Sequence, residues 1–275
     1  MKIVDHLLEG SGVKHKQTSN YYNPPFNTPT KLPDAIVIHY TGMTNAIDAI
    51  KVLTTKKPEG GNASAHLVIG KQGEVTQLAR FNKRTWHAGE SAYKGRKGYN
   101  SLSIGIEIDN VGWLKKQADG KYSRARLSKV YENNQVVHER HFNPAVPYEY
   151  WEEYTNKQIA VVFELCELLR QHYGIIEILG HDEIAPERKQ DPGPAFPMDE
   201  LKSEVLSDRS GEAVEGRVNT NLLNIRSGAG VNFEKVAQPL IQHAPVEIME
   251  EKNGWYKVKT NIEGWVSKKF ITPTR

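Results

Sequence analysis

The spacing of apolar and polar residues predicts several strands in the first two thirds of the chain. Ala35–Tyr40 is a short, β-branched apolar run that predicts a buried strand, with His39 near its C-terminal end. Ser103–Ile108 alternates strictly, which places three isoleucines on one face and Gly105 and Glu107 on the other. Apolar runs at 67–69 and 75–78 predict a hairpin, and 175–179 predicts a further strand.

Helical periodicity and capping signals predict three helices. Thr155 and Gln158 form a capping-box pattern ahead of an apolar stripe that includes Cys166 and ends near Gly174. Thr44 is predicted to cap a short helix that runs to residue 53, and residues 199–206 predict another. Because strands alternate with helices, this part of the sequence predicts an α/β domain.

Two stretches depart from this pattern. Residues 111–154 are polar and aromatic without a sustained period, which predicts a long excursion, partly ordered over a cleft. Residues 207–213 are polar and predict a linker, and short strand candidates separated by turns follow from 214. The predicted organisation is therefore a domain over 1–206, a linker over 207–213, and a small all-β barrel over 214–275.

Composition and charge narrow the classes of function. The net charge is +3, and positive and negative residues are scattered along the sequence, so no cluster of positive charge indicates nucleic-acid binding. No window approaches the roughly 20 apolar residues of a membrane span, which predicts no membrane insertion. Residues 1–30 lack the apolar core of a signal peptide, so we expect synthesis in the cytoplasm. The single cysteine, Cys166, lies on a helical apolar stripe and predicts a buried, inert thiol.

The candidate chemistry centres on the proline-rich segment 180–196. His181 and Asp191 can both ligate Zn²⁺, and with His39 they form a His₂-carboxylate set that leaves a fourth position for water. Glu107 is either a solvent-facing glutamate on an antiparallel strand or the general base. Lys189 is either a solvated charge or a group that stabilises an oxyanion.

Further candidates are weaker. His138 and His141 resemble the His-Glu-x-x-His zinc signature but lie three residues apart instead of four. The segments 86–89 and 93–96 combine aromatic, imidazole and cationic side chains, and they either line a substrate groove or cover the edge of the sheet. The candidates for substrate binding are His66, Trp86, His87 and Arg96.

Six ordered blocks resemble the zinc-dependent N-acetylmuramoyl-L-alanine amidases of the type-2 amidase family, in its AmpD-like branch. The blocks are 36–39, 64–66, 73–75, 86–89, 103–107 and 180–193. The resemblance implies a mixed central β-sheet flanked by helices, Zn²⁺ on His39, His181 and Asp191, Glu107 as catalytic acid/base, and Lys189 stabilising the transition state. Phage-lysozyme-type relatives place a tyrosine where this chain has Ala65, which favours Glu107 as the base.

The C-terminal segment resembles bacterial SH3-like domains, which commonly bind cell-wall peptides or cross-bridges. The resemblance rests on 223–230 and on 253–258 and 263–266, which include Trp255 and Trp265. Together the two resemblances imply an endolysin-like hydrolase that binds peptidoglycan or muropeptides, cleaves the amide between N-acetylmuramic acid and L-alanine, and acts on the wall after release or specialised export. The alternatives are a non-catalytic peptidoglycan-recognition module and a cytosolic amidase that recycles anhydro-muropeptides.

Overall fold

The computed structural model describes residues 1–22, 24–56, 63–125, 127–206, 214–252, 254–260 and 263–274. The chain divides into two units, Met1–Leu206 and Ser207–Arg275. The predicted linker 207–213 lies outside the described residues, as does Asn253 of the SH3-like pattern.

A six-stranded mixed sheet organises the first unit. Its strands are β1 (Lys14–His15), β2 (Ala35–Tyr40), β3 (Leu67–Ile69), β4 (Val75–Gln77), β5 (Ser103–Ile108) and β6 (Glu177–Gly180). The order across the sheet is β6-β2-β5-β3-β4-β1, in which the first four strands are parallel and β4 is antiparallel to β3. The expected mixed sheet is confirmed, and β2 and β5 have the predicted bounds.

In the described part of the chain, four helices accompany the sheet: α1 (Ala46–Thr54), α2 (Asn156–Tyr173), α3 (His181–Ile184) and α4 (Met198–Leu206). The capping box of Thr155 and Gln158 begins α2, and Gly174 in the left-handed region (φ 69°) ends it. Asn45, and not Thr44, caps α1, because the Asn45 side chain accepts the backbone N–H of Asp48. Among the helices in the described part of the chain, none has both the length and the apolar character needed to cross a membrane.

The main core lies between the sheet and helices α2 and α4. The three isoleucines of β5 point to this side and are fully buried, together with the apolar stripe of α2. Cys166 belongs to this core, where burial raises the pKa of its thiol, as expected for an inert cysteine. Gly105 and Glu107 therefore face the opposite side of the sheet, where the candidate site lies.

Within residues 111–154 the structure has a second, five-stranded antiparallel sheet, so the predicted excursion is more ordered than expected. In spatial order its strands are Val130–Tyr131, Tyr122–Ser123, Trp113–Lys116, Tyr150–Glu152 and Val136–His138. Each strand has only two to four residues, which is too short to display a period of two. Its own small core contains Val111, Leu114, Tyr122 and Tyr131. We call 111–154 the inserted sheet.

Short strand pairs complete the first unit. The pairs are Lys2–Val4 with Leu7–Glu9, Tyr21–Tyr22 with Arg84–Thr85, and Ala92–Tyr93 with Arg96–Lys97. Three-residue 3-10 turns lie at Tyr99–Ser101 and Asn133–Gln135.

The second unit is all-β, as predicted. Five antiparallel strands lie in the order Glu263–Ser267, Trp255–Lys259, Pro245–Lys252, Val214–Val218 and Ile271–Thr274. A pair, Leu222–Leu223 with Leu240–Ile241, and a 3-10 turn, Lys268–Phe270, complete it. Val218, Val258 and Val266 are fully buried within it, so this unit has an apolar core of its own.

Candidate metal centre

The register of three parallel strands assembles the site. Glu107 of β5 lies directly opposite His39 of β2, and Gly180 of β6 lies opposite Ile38. The residue after Gly180 is His181, which therefore leaves the sheet beside His39. Because parallel strands end at the same edge of a sheet, all three side chains meet at its carboxyl edge.

Three potential ligands converge there. His39 Nδ1 and His181 Nδ1 lie 2.9 Å apart, and each lies 2.9 Å from Asp191 Oδ2. All three residues are buried, and together they could hold a metal ion. A tetrahedral ion with bonds of about 2.0 Å places its ligand atoms roughly 3.3 Å apart, so the triangle needs little change to fit one face of such a centre.

The far nitrogens of both imidazoles have acceptors, which fixes the tautomers that ligation requires. His181 Nε2 lies 3.1 Å from the Ala88 carbonyl oxygen, and His39 Nε2 lies 3.0 Å from His87 Nδ1. With Nε2–H donating in both rings, each Nδ1 lone pair is free for a metal. His87 in turn directs its Nε2 toward the Ser103 carbonyl oxygen at 3.4 Å, which leaves its Nδ1 as the acceptor.

Electrostatics favour the ligating forms. Burial, assisted by His181, lowers the pKa of His39 to about 4, so this imidazole is neutral at physiological pH. Burial alone would raise the pKa of the Asp191 carboxyl, but His181 and His39 together hold it well below its ordinary value. A neutral imidazole beside an ionised carboxylate is the state in which these groups bind a cation.

Glu107 and Lys189 face the same cavity, whose volume is about 420 Å³. Burial, and next the Asp191 charge, raise the pKa of Glu107 to about 8, while Lys189 opposes the shift. The strand that carries Glu107 is parallel to both of its neighbours, so the reading of a solvent-facing residue on an antiparallel strand does not hold. A glutamate with this pKa can both accept and donate a proton near neutral pH.

The segment that carries His181 and Asp191 is more ordered than an open proline-rich loop. His181 begins the short helix α3, and the Asp182 N–H donates to the Asp191 carbonyl oxygen at 2.8 Å. Lys189 N–H donates to the Ala185 carbonyl oxygen at 3.0 Å, which closes a turn before Asp191. The segment therefore presents two ligands and a cation from a backbone that is bonded to itself.

The four candidates for substrate binding separate into two pairs. Trp86, whose side chain is exposed, and His87, which is buried behind His39, both line the cavity. His66 is fully buried away from it, bonded to the Lys83 carbonyl oxygen and the Gly105 N–H. We therefore assign His66 to the packing of the sheet.

Arg96 is the fourth candidate, and the structure places it at the opposite edge of the sheet. Its guanidinium pairs with Asp34 and Glu177, which lie at the amino ends of β2 and β6. The edge that carries His39 is the carboxyl edge of those same strands. Arg96 therefore joins two strand beginnings and does not line the cavity.

The histidines of the zincin-like pattern do not form a metal site together. His138 is exposed and lies 3.7 Å from Glu149, whereas His141 is buried and lies 3.0 Å from Asp182. Sequence reasoning also missed three residues that line the cavity, Tyr40, Arg124 and Arg188. Sequence reasoning could have identified Tyr40, because it follows His39 at the strand end. Arg124 lies in the stretch without a period and carried no signal.

Comparison with known proteins decides the family. The family model described as N-acetylmuramoyl-L-alanine amidase matches residues 28–194, which is more than half of the 275 residues. The chain belongs to the N-acetylmuramoyl-L-alanine amidase family. The matched span contains every residue of the cavity described above, and the resemblance inferred from the ordered blocks is confirmed. A bacterial SH3 domain model matches residues 221–272 of this amidase-family chain.

Several relatives in the amidase family are similar over the first unit. The 1,6-anhydro-N-acetylmuramyl-L-alanine amidase AmpD of Enterobacter cloacae is 35% identical over 133 residues, 48% of this chain and 52% of the relative. The N-acetylmuramoyl-L-alanine amidase AmiD of Escherichia coli (strain K12) is 31% identical over 181 residues, 62% of this chain and 52% of the relative. The chain thus spans about half the length of these curated relatives.

A solved structure supports the same placement. A crystal structure of a selenomethionine derivative of AmpD matches with a TM-score of 0.51 and 25% sequence identity. The match covers 74% of this amidase-family chain and 99% of that chain. The α/β architecture of the first unit is therefore that of a known amidase.

Proposed function

We propose that this chain is a zinc-dependent peptidoglycan hydrolase that cleaves the amide between N-acetylmuramic acid and the L-alanine of the stem peptide. One observation carries the proposal: His39, His181 and Asp191 converge within 2.9 Å of one another in a cavity that Glu107 and Lys189 also line. Two imidazoles and a carboxylate, with a fourth position for water, are a recurrent ligand set of catalytic zinc. The family match over 28–194 supports the same bond as the target.

The residues of the cavity divide the reaction among them. When bound, zinc supplies Lewis-acid polarisation of the scissile carbonyl and makes water more acidic. Glu107 takes a proton from the attacking water and transfers it to the departing nitrogen, which its raised pKa permits. Lys189 places a positive charge where the carbonyl oxygen becomes negative. The carbon–nitrogen bond breaks, and the products are a lactyl carboxylate and the amine of L-alanine.

The test is the release of L-alanine amino termini from purified sacculi by zinc-loaded protein. Asp191→Ala is expected to lose both bound zinc and activity, because one ligand and its charge are removed. Glu107→Gln is the matched control for the metal: it keeps zinc and loses activity by about 10²-fold or more. Release of no amino termini by the wild-type protein, or full activity in Glu107→Gln, would contradict the proposal.

The form of the substrate is a second question. The bacterial SH3 match over 221–272 favours polymeric wall, since a tethered binding domain raises the local concentration of the catalyst. This use requires that the protein reach the wall by release or export. The AmpD relatives favour soluble anhydro-muropeptides, the substrate in their names. Rates on sacculi and on soluble anhydro-muropeptide, measured side by side with mass spectrometry of the products, discriminate between the two.

A purely recognising module is the least supported function. Such a role requires no metal, and here three ligands, a proton carrier and a cation share one cavity. The zinc content and turnover of Asp191→Ala separate this function as well, because recognition alone predicts wall binding without turnover in the variant and in the wild type.

A further inference from the structure

We infer that Arg124, supplied by the inserted sheet, forms a binding site for the free carboxylate that follows L-alanine in the stem peptide. This inference rests on the proposed function, since it names the part of the substrate that meets one wall of the cavity. It also makes Arg124 a residue that determines specificity.

The charges of the cavity wall favour an anionic ligand. Three cations line it, namely Arg124, Arg188 and Lys189, against two carboxylates, Glu107 and Asp191. The Asp191 carboxylate is engaged by the two histidines. The potential in the cavity is therefore positive, as suits a substrate that brings negative charge.

Among these cations, Arg124 is held in a fixed position. Its guanidinium lies over the Trp113 ring at 4.5 Å, and Trp113 stacks on Tyr148 with centroids 4.0 Å apart and planes within 2°. One Nη1 donates to the Val111 carbonyl oxygen. Because the Trp113 ring packs on one face of the planar guanidinium and Nη1 is hydrogen-bonded, the directions of the remaining N–H groups are fixed. Such a fork is suited to a carboxylate, which it can bind through two parallel hydrogen bonds.

Within the part of the chain that the structure describes, Arg124 has no carboxylate partner at ion-pair distance. Arg96 offers the contrast, because it is similarly half-buried and pairs with both Asp34 and Glu177. A half-buried guanidinium needs acceptors, and those of Arg96 come from the fold. For Arg124 we assign the role of the acceptor to a carboxylate of the substrate.

Arg188, the neighbouring cation, is committed elsewhere. Its Nη2 donates to the backbone carbonyl oxygens of Ala88 and Glu90, which ties the metal-binding segment to the loop that carries His87. Lys189 stands two residues from Asp191 and is assigned to the scissile carbonyl. Arg124 is the cation left for a second anionic group.

Arg124 lines the same cavity as the potential metal ligands. Its guanidinium lies 6.0 Å from the ring of Tyr40, the residue directly after His39. Tyr40 lines this cavity as well. An extended peptide advances about 3.3 Å per residue, so the residue after L-alanine lies roughly 7 Å beyond the scissile amide. When that residue is D-glutamate joined through its side chain, its main-chain carboxylate is free to meet Arg124.

The test compares two soluble substrates that differ only at this group, N-acetylmuramoyl-L-alanyl-γ-D-glutamyl-L-lysine and its D-isoglutaminyl counterpart, in which an amide replaces the carboxylate. We expect the wild-type protein to prefer the carboxylate form by about tenfold or more in kcat/KM. Arg124→Gln is expected to reduce this preference to within about twofold, and Arg124→Lys to retain part of it, because lysine keeps the charge without the fork. Arg140→Gln, an exposed arginine of the inserted sheet paired with Glu149, is the matched control and should keep the full preference.

Each outcome of these experiments either supports or overturns the carboxylate site at Arg124. A wild-type protein without preference, or an Arg124→Gln variant that keeps the preference, overturns the inference while leaving the amidase function standing. If neither substrate is cleaved, the proposed function fails, and Arg124 is then judged by calorimetry with the dipeptide L-alanyl-γ-D-glutamate and zinc-loaded protein. Loss of that binding in Arg124→Gln but not in Arg140→Gln supports the carboxylate site, and equal binding by both rejects it. Thermal unfolding of all variants confirms that each is folded.

Discussion

At the scale of single residues, Glu107 shows how position sets chemistry. It is one of an alternating pair on β5, and its partner on that face, Gly105, has no side chain. A Cβ built on Gly105 would stand 2.5 Å from the His87 ring, so the glycine leaves room for the imidazole that supports His39. The position of the imidazole behind His39 thus depends on a residue that contributes only space.

The raised pKa of Glu107 predicts a pH dependence of stability in the metal-free protein. The folded state holds this proton more tightly than the unfolded chain, so the stabilisation is complete below about pH 4.5 and is lost as pH rises through about 8. Because Glu107 is half-buried, we expect a loss of about 3 kcal/mol across that window. Glu107→Gln should flatten the decline, as measured by denaturant unfolding at several pH values.

Glu153→Gln, which replaces an exposed carboxylate of the same unit, is the control and should leave the decline unchanged. An equal decline in Glu107→Gln and in the wild type would show that Glu107 does not carry this titration.

Residue types and spacing predicted the ligand set but not the substrate wall. His39 lies near a predicted strand end, and His181 and Asp191 lie in a segment rich in functional groups. Both features can be recognised in the sequence alone. His66 and Arg96 look as reactive in sequence as His87, yet one is bonded into the sheet and the other pairs with Asp34 at the far edge. Which edge of a sheet a side chain reaches depends on strand direction, which the sequence did not reveal.

At the scale of elements, the inserted sheet holds in place the segment that carries His181 and Asp191. His141 Nε2 lies 3.0 Å from Asp182 Oδ2, and Asn143 Nδ2 donates to the Pro186 carbonyl oxygen at 2.8 Å. Tyr154, the last residue of the inserted sheet, donates its hydroxyl to the Pro192 carbonyl oxygen at 2.9 Å. These bonds meet the segment directly after His181, between His181 and Asp191, and directly after Asp191. The zincin-like pattern thus contributes to the centre through its second histidine, as a support and not as a ligand.

This arrangement predicts that His141→Ala weakens zinc binding. Removal of the imidazole leaves Asp182 buried without its partner and frees the segment that sets the distance between His181 and Asp191. We expect about tenfold weaker zinc binding, measured by competition with a chromophoric chelator, in line with losses seen when groups behind metal ligands are removed.

The control for this prediction is His138→Ala, which removes the exposed histidine of the same pattern. It should bind zinc as the wild type does. Equal affinities in the two variants would mean that the inserted sheet does not position the metal site.

Long elements with a sustained hydrophobic pattern were predictable from the sequence, whereas short strands without such a pattern were not. Helix α2 has a capping box, five turns of apolar stripe and a terminal glycine, so local signals and tertiary burial agree. The inserted sheet is built from strands as short as Tyr122–Ser123, which are stabilised by neighbours distant in sequence. The formation of this sheet depends on pairing between strands, and a two-residue strand is too short to show a hydrophobic pattern that predicts such pairing.

At the scale of the whole molecule, the chain joins two units with separate cores. The first contains the complete cavity, and the second has its own buried residues, including Val218 and Val258. We therefore expect residues 1–206 alone to cleave soluble muropeptide with kcat/KM within about twofold of the full chain. On sacculi the rate at low protein concentration should fall by about 10²-fold, because the tethered second unit no longer raises the local concentration.

Parallel assays on the two substrates check this expectation. Equal losses on both would show that the second unit supports catalysis directly, and no loss on sacculi would remove it from wall binding. The match to a bacterial SH3 domain over 221–272 supports the assignment of this unit.

The separation of the ligands along the chain has a consequence for biosynthesis. His39 and Asp191 meet across 152 positions, and the first ligand leaves the ribosome long before the last. Closing so long a loop is slow, and no shorter fragment contains the full set. A nascent chain therefore has no complete candidate site until residue 191 has been made and strands β2 and β6 are paired. Zinc uptake by a nascent chain would report that these two strands have paired.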